Sequence, residues 1–220
     1  MKRELLTTFA ALAFLASCGL DPLEGGSGIL KPERTKVSEE SSLFKAEGEN
    51  KKFTFETNDT KYLSENGFTL WTVPNVNASD DFSTVSVEAV KESGTAEAGF
   101  GVIFCEQQVN GKPFMMAALI NANGFYTVGK IVDGVFSHVN GGWKSFNLIN
   151  RGMGVKNQIE VSFDSNSRNF VLKLNGGVAT EFAAQEEIAF KGSRSGFAVV
   201  VANNEKLPSN SVKVTFENKR

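Results

Sequence analysis

From Phe53 to the C-terminal residues, apolar side chains recur at every second position, and that period commits most of the chain to β-structure. Phe53 and Phe55 alternate with Lys52, Thr54 and Glu56, and Val85, Val87 and Ala89 with Ser86 and Glu88. Ile159, Val161 and Phe163 oppose Gln158, Glu160 and Ser162. Phe170, Leu172 and Leu174 oppose Val171, Lys173 and Asn175, and Val212, Val214 and Phe216 oppose Lys213, Thr215 and Glu217. A strand turns successive side chains to opposite sides, so each run has one apolar and one wet face. Two runs break the alternation. Phe100–Phe104 and Phe197–Val201 are apolar throughout, the pattern of central strands covered on both faces. Nineteen phenylalanines against two tyrosines suit such a core, because a buried Phe needs no hydrogen-bond partner.

Turn signals punctuate the runs at hairpin spacing: Asn123-Gly124, Asp133-Gly134, Asn140-Gly141-Gly142, Asp164-Ser165-Asn166 and Asn175-Gly176-Gly177. Asn-Gly and Asp-Gly supply the positive φ that tight hairpin turns require. About ten short strands with this punctuation, and no sustained helical period after residue 50, predict an all-β, antiparallel two-sheet sandwich of jelly-roll type over 51–220. No fixed repeat of 20–50 residues indicates a propeller or solenoid.

The N-terminal residues follow a different logic. Lys2 and Arg3 precede a mostly apolar run from Leu5 to Ala16, and Ala16-Ser17 supplies small residues before Cys18. The run is too short to span a bilayer, which takes about twenty apolar residues, and reads as a removable export signal. Leu15-Ala16-Ser17-Cys18 resembles the lipobox of bacterial lipoproteins. That resemblance implies a signal helix over 1–17, cleavage before Cys18, and a diacylglyceryl and fatty-acyl (palmitate-type) anchor on Cys18. Each buried CH₂ of such chains contributes about 0.8 kcal/mol, so two or three chains make attachment effectively permanent. The competing reading is a plain secretory signal that happens to end near a cysteine. Gly19 in the position after the lipidated cysteine implies, for a Gram-negative source, the outer membrane, and in any case the cell envelope.

From Cys18 to about residue 50 the chain is rich in Gly, Ser, Glu and Lys, including Gly25-Gly26-Ser27-Gly28 and Glu39-Glu40-Ser41-Ser42. It reads as a flexible tether with an r.m.s. reach of roughly 30 Å. Removing residues 1–17 takes the formal charge from −2 to −3, so no basic footprint points to nucleic acid. With Cys18 acylated, Cys105 has no partner for a disulfide; it follows an apolar run and reads as a small buried hydrophobe.

Gly99-Phe100-Gly101-Val102-Ile103-Phe104, Phe125-Tyr126-Thr127-Val128 and Val132-Asp133-Gly134-Val135-Phe136 together resemble the concanavalin A-like sandwiches related to laminin G domains and family 16 glucanases. Asn157–Phe163 followed by Phe170–Gly176 resembles their strand, turn, strand, Asn-Gly hairpin, and Ser195–Val199 their penultimate strand. The resemblance covers about 81–217 and implies two curved sheets; this architecture hosts lectins, enzymes and structural modules alike. Two departures stand out. The Glu-x-Asp-x-x-Glu core that places a nucleophile and an acid on one strand face in family 16 enzymes is missing, as no Glu-x-Asp occurs in the chain. Where related sugar-processing sandwiches carry Asn-Ser-Gly, this chain has Glu97-Ala98-Gly99.

Catalytic candidates are few. His138 is the one histidine, on a hairpin strand with no serine or cysteine motif beside it, and reads as a satisfied histidine rather than a general base. Glu88 and Glu92, or Glu160 and Asp164, lie four apart, about 13 Å along a strand and too far for either glycosidase geometry. No His/Cys cluster provides a transition-metal site. The run from Asp164 begins like a calcium loop, but Asn169 and Asn175 stand where that loop needs Gly and Glu; Asp80-Asp81 is the other calcium candidate. Exposed aromatics remain as a route to function, since sugar faces stack on them. Trp143, after Gly141-Gly142, is the foremost candidate, with Trp71 and Tyr126 behind it. For each the alternative, a core ring, is the favoured reading, least strongly for Trp143. The expectation is therefore a lipid-anchored envelope protein whose sandwich binds glycan or protein without catalysis. A polysaccharide hydrolase or lyase with a nonstandard site, or an adhesin or spacer, is the alternative.

Overall fold

The structure is a computed structural model and describes residues 36–39, 44–47, 52–63, 68–74, 84–184 and 194–219; side chains are described at Lys45 and over 52–63, 84–184 and 194–219. The signal segment, Cys18 and Asp80-Asp81 lie outside the described residues. The strands are β1 (Lys36–Glu39), β2 (Phe44–Glu47), β3 (Lys52–Thr57), β4 (Phe68–Pro74), β5 (Thr84–Ser93), β6 (Phe100–Val109), β7 (Lys112–Ile120) and β8 (Phe125–Val132). They continue as β9 (Val135–His138), β10 (Lys144–Ser145), β11 (Lys156–Asp164), β12 (Asn169–Leu174), β13 (Gly177–Ala183), β14 (Arg194–Ala202) and β15 (Val212–Asn218). The helical element among the described residues is one 3₁₀ turn, Thr60–Tyr62, capped by the Asp59 carboxylate, which accepts from the Lys61 N–H.

Two sheets form the expected sandwich. The front sheet runs β1-β4-β14-β6-β7-β8, and β9 and β10 share the far edge of β8. The back sheet runs β13-β12-β11-β5-β15-β3-β2. Every pairing is antiparallel except β1 beside β4. The two continuously apolar runs, β6 and β14, are neighbours in the middle of the front sheet, as their lack of alternation predicts.

Phenylalanines bridge the layers. Phe197 of β14 stacks on Phe216 of β15 at 4.7 Å and meets Phe53 of β3 at 4.9 Å. At the other side Phe104 of β6 meets Phe170 edge-on at 5.3 Å, and Phe170 stacks on Phe182 at 5.3 Å. Asp133-Gly134 and Asn175-Gly176 have positive φ at both residues, as does Asn110-Gly111, which joins β6 to β7. These tight turns set the hairpin registers.

Residues 36–39 and 44–47, inside the span read as a tether, form short edge strands. β1 pairs with the β4 edge of the front sheet and β2 with the β3 edge of the back sheet, so this stretch reaches both sheets on one side of the sandwich. The unpaired backbone groups of a sheet edge can take up such a short strand.

Candidate functional site

The outer faces of the two sheets differ in kind. On the front sheet, the side chains that point away from the sandwich core come from Ile103, Met115, Ala117, Leu119, Ile131, Ala198, Val200 and Ala202, and they form a second apolar cluster with Ala98, Phe136 and Trp143. The register shows why. Gly101, Leu119 and Thr127 lie on one rung across β6, β7 and β8, and Ile103, Ala117 and Gly129 on the next, all on the face opposite Val102 and Val128 of the core. On the back sheet the outer face holds Lys156–Glu88 at 2.6 Å, Lys219–Glu88 at 3.0 Å, Lys173–Glu160 at 3.1 Å and Lys213–Glu92 at 2.7 Å. Lys156, then Lys219, holds the Glu88 carboxyl below the usual carboxylate range, and Lys213 does the same for Glu92.

Aromatic rings fold over the front face where glycines make room. A Cβ at Gly129 would collide with the Phe136 ring, and one at Gly99 would lie 3.0 Å from Trp143 Cη2 and 3.4 Å from Leu119 Cδ1. Trp143 therefore lies over Gly99 beside Leu119 and is only 4% exposed. His138 packs edge-on against Phe136 at 5.1 Å.

A polar relay crosses the same corner. The Val128 N–H donates to Asn140 Oδ1 at 3.1 Å, which settles the orientation of that amide, because only its oxygen can accept. The buried Thr127 hydroxyl donates to the same Oδ1 at 3.2 Å. With its one proton spent there, Thr127 accepts from His138 Nδ1 at 2.7 Å. Neutral His138 accordingly carries its proton on Nδ1. Two buried donors have no partner: Asn140 Nδ2 and Trp143 Nε1. Each buried donor left unmet costs about 1–3 kcal/mol.

The loop that leads into Gly99 is pinned from below. Lys91, 1% exposed, donates from Nζ to the Ala98 carbonyl at 2.7 Å, with the Phe100 ring 5.9 Å away. Burial pushes its ammonium down to about 8, against the attraction of Glu205 and Glu97. The Glu205 carboxylate accepts from the Thr95 backbone N–H at 2.8 Å and from its hydroxyl at 2.9 Å. Asn123 and Asn121 donate to Glu97 and its carbonyl at 3.4 Å.

The sequence-predicted residues separate. Trp143 lies at the front-face corner, and His138, read from sequence as a satisfied histidine, stands beside it in the relay. Tyr126 points to the opposite face, into the core; its hydroxyl, raised by burial, donates to the Ala179 carbonyl of β13 at 2.8 Å and ties the two sheets together. Trp71, in β4, is in register with Val199 of β14, and its side chain lies outside those described. Cys105 is buried in the core, at a bulge of β6 with φ +55°. The Asp164 carboxylate accepts from the Asn166 N–H at 3.0 Å and from the Ser167 hydroxyl at 2.8 Å, closing the β11–β12 turn; these bonds, Ser167 first, hold it below its ordinary range. Thr127 and Asn140 were not singled out from sequence. Asn140 reads as part of a glycine turn, and only the β8–β9 pairing brings it back to Thr127 and Val128. Glu106, nine-tenths buried, is committed to Arg194 at 2.6 Å.

No protein-family model matches the sequence, and no curated protein matches it significantly. Solved structures share the architecture. A glycoside hydrolase family 16 endo-glucanase from Bacteroides ovatus superposes with a TM-score of 0.52 at 7% identity, over 86% of this chain and 92% of that one. A β-glucanase from Bacillus licheniformis does so with a TM-score of 0.50 at 7% identity, over 84% and 86%. At such identity the likeness is one of fold: a concanavalin A-like jelly roll.

Proposed function

We propose that this chain is a lipid-anchored envelope protein whose sandwich binds a glycan, without catalysis, through the outer face of its front sheet. The lipobox resemblance at Leu15–Cys18 supports the anchoring half. The observation that carries the binding half is the front-face corner, where Trp143 Nε1 and Asn140 Nδ2 are each buried without a partner near an apolar cluster. Small-molecule sites have this make-up: mostly apolar walls and a few placed polar groups. The back sheet offers no equivalent, since its outer carboxylates are engaged by lysines. Bearers of this fold in the comparisons act on glucans, yet the Glu-x-Asp pattern of family 16 enzymes is missing from this sequence. That absence weighs toward binding over cleavage.

Two experiments test the halves separately. The full chain, purified in detergent, is screened against a glycan and polysaccharide panel with product analysis; binding without new reducing ends is the expected result. Cleavage products would favour the hydrolase or lyase reading, and neither binding nor cleavage would favour a protein ligand. For the anchor, Cys18→Ser is expected to move the protein from the detergent to the aqueous phase on partitioning, and retention in the detergent phase would place the anchor elsewhere.

A further inference from the structure

We infer that one end of the sandwich, built around the loop from β10 to β11, is a seat for an anionic lipid surface. The strand registers define this end. β5 stops and β6 starts there, the β7–β8, β12–β13 and β14–β15 connections turn there, and residues 146–155 join β10 to β11 there. β1 enters at the same end, since Lys36 pairs with Thr69 and the start of β4 lies beside Ala202, the last residue of β14.

Exposed apolar side chains gather at this end. Leu148, Met153 and Val178 are here, and the fourth large apolar side chain exposed among the described residues, Val135, is at the opposite end. Leu148 occupies the space that a Cβ on Gly177 would need, and so borders Val178. The loop is pinned in place. Asn175 Nδ2 donates to the Leu148 carbonyl at 2.6 Å, and the Asn150 N–H donates to Asn157 Oδ1 at 2.8 Å. On either side of Met153, the Gly152 and Gly154 N–H groups donate to the Ala122 and Lys91 carbonyls at 2.8 Å. The fold therefore holds these side chains outward when nothing in the core requires it.

Charge points to the same partner. Lys144, Arg151 and Lys206 are exposed here and form no ion pair among the described residues. The acids described at this end are engaged: Glu205 accepts from Thr95, Glu97 from Asn123, and Asp59 pairs with Lys61 at 3.6 Å. At the opposite end, Lys112 is matched by Asp133 at 3.1 Å beside Val135. Outward apolar groups with surplus cations suit an anionic bilayer, where the first enter the acyl boundary and the second meet headgroup phosphates. Seventeen residues separate Cys18 from Lys36, so an anchor on Cys18 would hold this end nearest the bilayer. The preference for a membrane over a protein partner rests on that anchoring reading.

The test uses the full chain with Cys18→Ser. Cys105 is buried, so a thiol placed by Met153→Cys, or at the opposite end by Val135→Cys, is the one open to labelling. An environment-sensitive dye at each position is followed on adding vesicles of phosphatidylethanolamine with phosphatidylglycerol, or of phosphatidylcholine alone. On the phosphatidylglycerol vesicles the dye at 153 is expected to shift to the blue and to be quenched by spin-labelled lipid, while the dye at 135 stays as in water. Leu148→Asp with Val178→Asp, and separately Lys144→Glu with Arg151→Glu, are each expected to lower that quenching tenfold or more. Thermal midpoints identify any variant that fails to fold, and the two dye positions then decide the matter alone. Neither dye quenched, both quenched alike, or an equal response on phosphatidylcholine overturns the seat. The anchoring reading falls separately, if Cys18→Ser leaves detergent partitioning unchanged.

Discussion

The outer faces of the two sheets are made from the same backbone geometry and opposite chemistry. The back sheet turns out Glu88, Glu92, Glu160, Lys156, Lys173 and Lys213, paired across strands and in contact with water. The front sheet turns out Ala, Gly, Leu, Ile, Val and Met, buried over its centre. One core is enough to fold a sandwich, and the salt-bridged back face is the ordinary solvated solution. A second apolar layer on the front, roofed by Phe136 and Trp143 and crossed by a polar relay, exceeds what folding requires. The front is the face proposed to bind.

The comparison breaks most readily under a charge. Val200→Asp, on the front face, is expected to cost about 4 kcal/mol or more, because the carboxylate is buried without a partner, whereas Ser162→Asp on the back should stay within about 0.5 kcal/mol. Urea midpoints of the two variants measure the gap, and similar losses would erase the distinction between the faces.

Next in size is the buried lysine beneath the corner. The Lys91 pKa is lower folded, at about 8, than unfolded, so between about pH 8 and the ordinary value of 10.5 the unfolded chain binds the extra proton. Stability contributed through this group therefore rises with pH across that window, by roughly 3 kcal/mol, and is flat below it, where both states are protonated. Lys91→Met should remove the slope between pH 8 and 10 in denaturation series; a variant that retains it would assign the slope to another group.

A smaller effect sharpens the packing of the site. Gly99→Ala puts a methyl 3.0 Å from the Trp143 ring and should cost about 1–3 kcal/mol while shifting the indole fluorescence. Unchanged emission would mean that the ring does not lie over Gly99.

The smallest change belongs to the back face. Glu88→Gln breaks the pairs with Lys156 and Lys219 and should cost less than about 1 kcal/mol, diminishing with salt. Its carboxyl is lowered in the fold, so the contribution is present above 4.5 and lost as the pH falls through the folded value; a loss that persists at high salt would show that this face carries more than solvated pairs.

The strands were readable because burial on one side writes a period of two. β3, β5, β11, β12 and β15 follow it, and β6 and β14 show their central place by departing from it. What lay beyond reach has physical reasons. β1 and β2 are held by backbone pairing, which leaves little trace in side chains. Lys91 occupies the inward position after Val85, Val87 and Ala89, where the period expects an apolar residue and gives no notice of a charge pinned by a carbonyl. The site was half legible: Trp143 stood out as an aromatic beside a glycine turn. Its polar companions Thr127, His138 and Asn140 come together only when β8 and β9 pair, and no local spacing records that register.

The most direct test of the front face as the binding face is the indole N–H resonance of Trp143, which Trp143→Phe assigns against that of Trp71. On titration of the isotope-labelled full chain in detergent with a glycan that the panel screen shows to bind, this signal should move as its unpartnered donor gains an acceptor. A saturable shift there, with back-sheet amides at rest, is the predicted result. An unmoved Trp143 signal under a sugar that demonstrably binds, with shifts confined to the back sheet, would contradict the account.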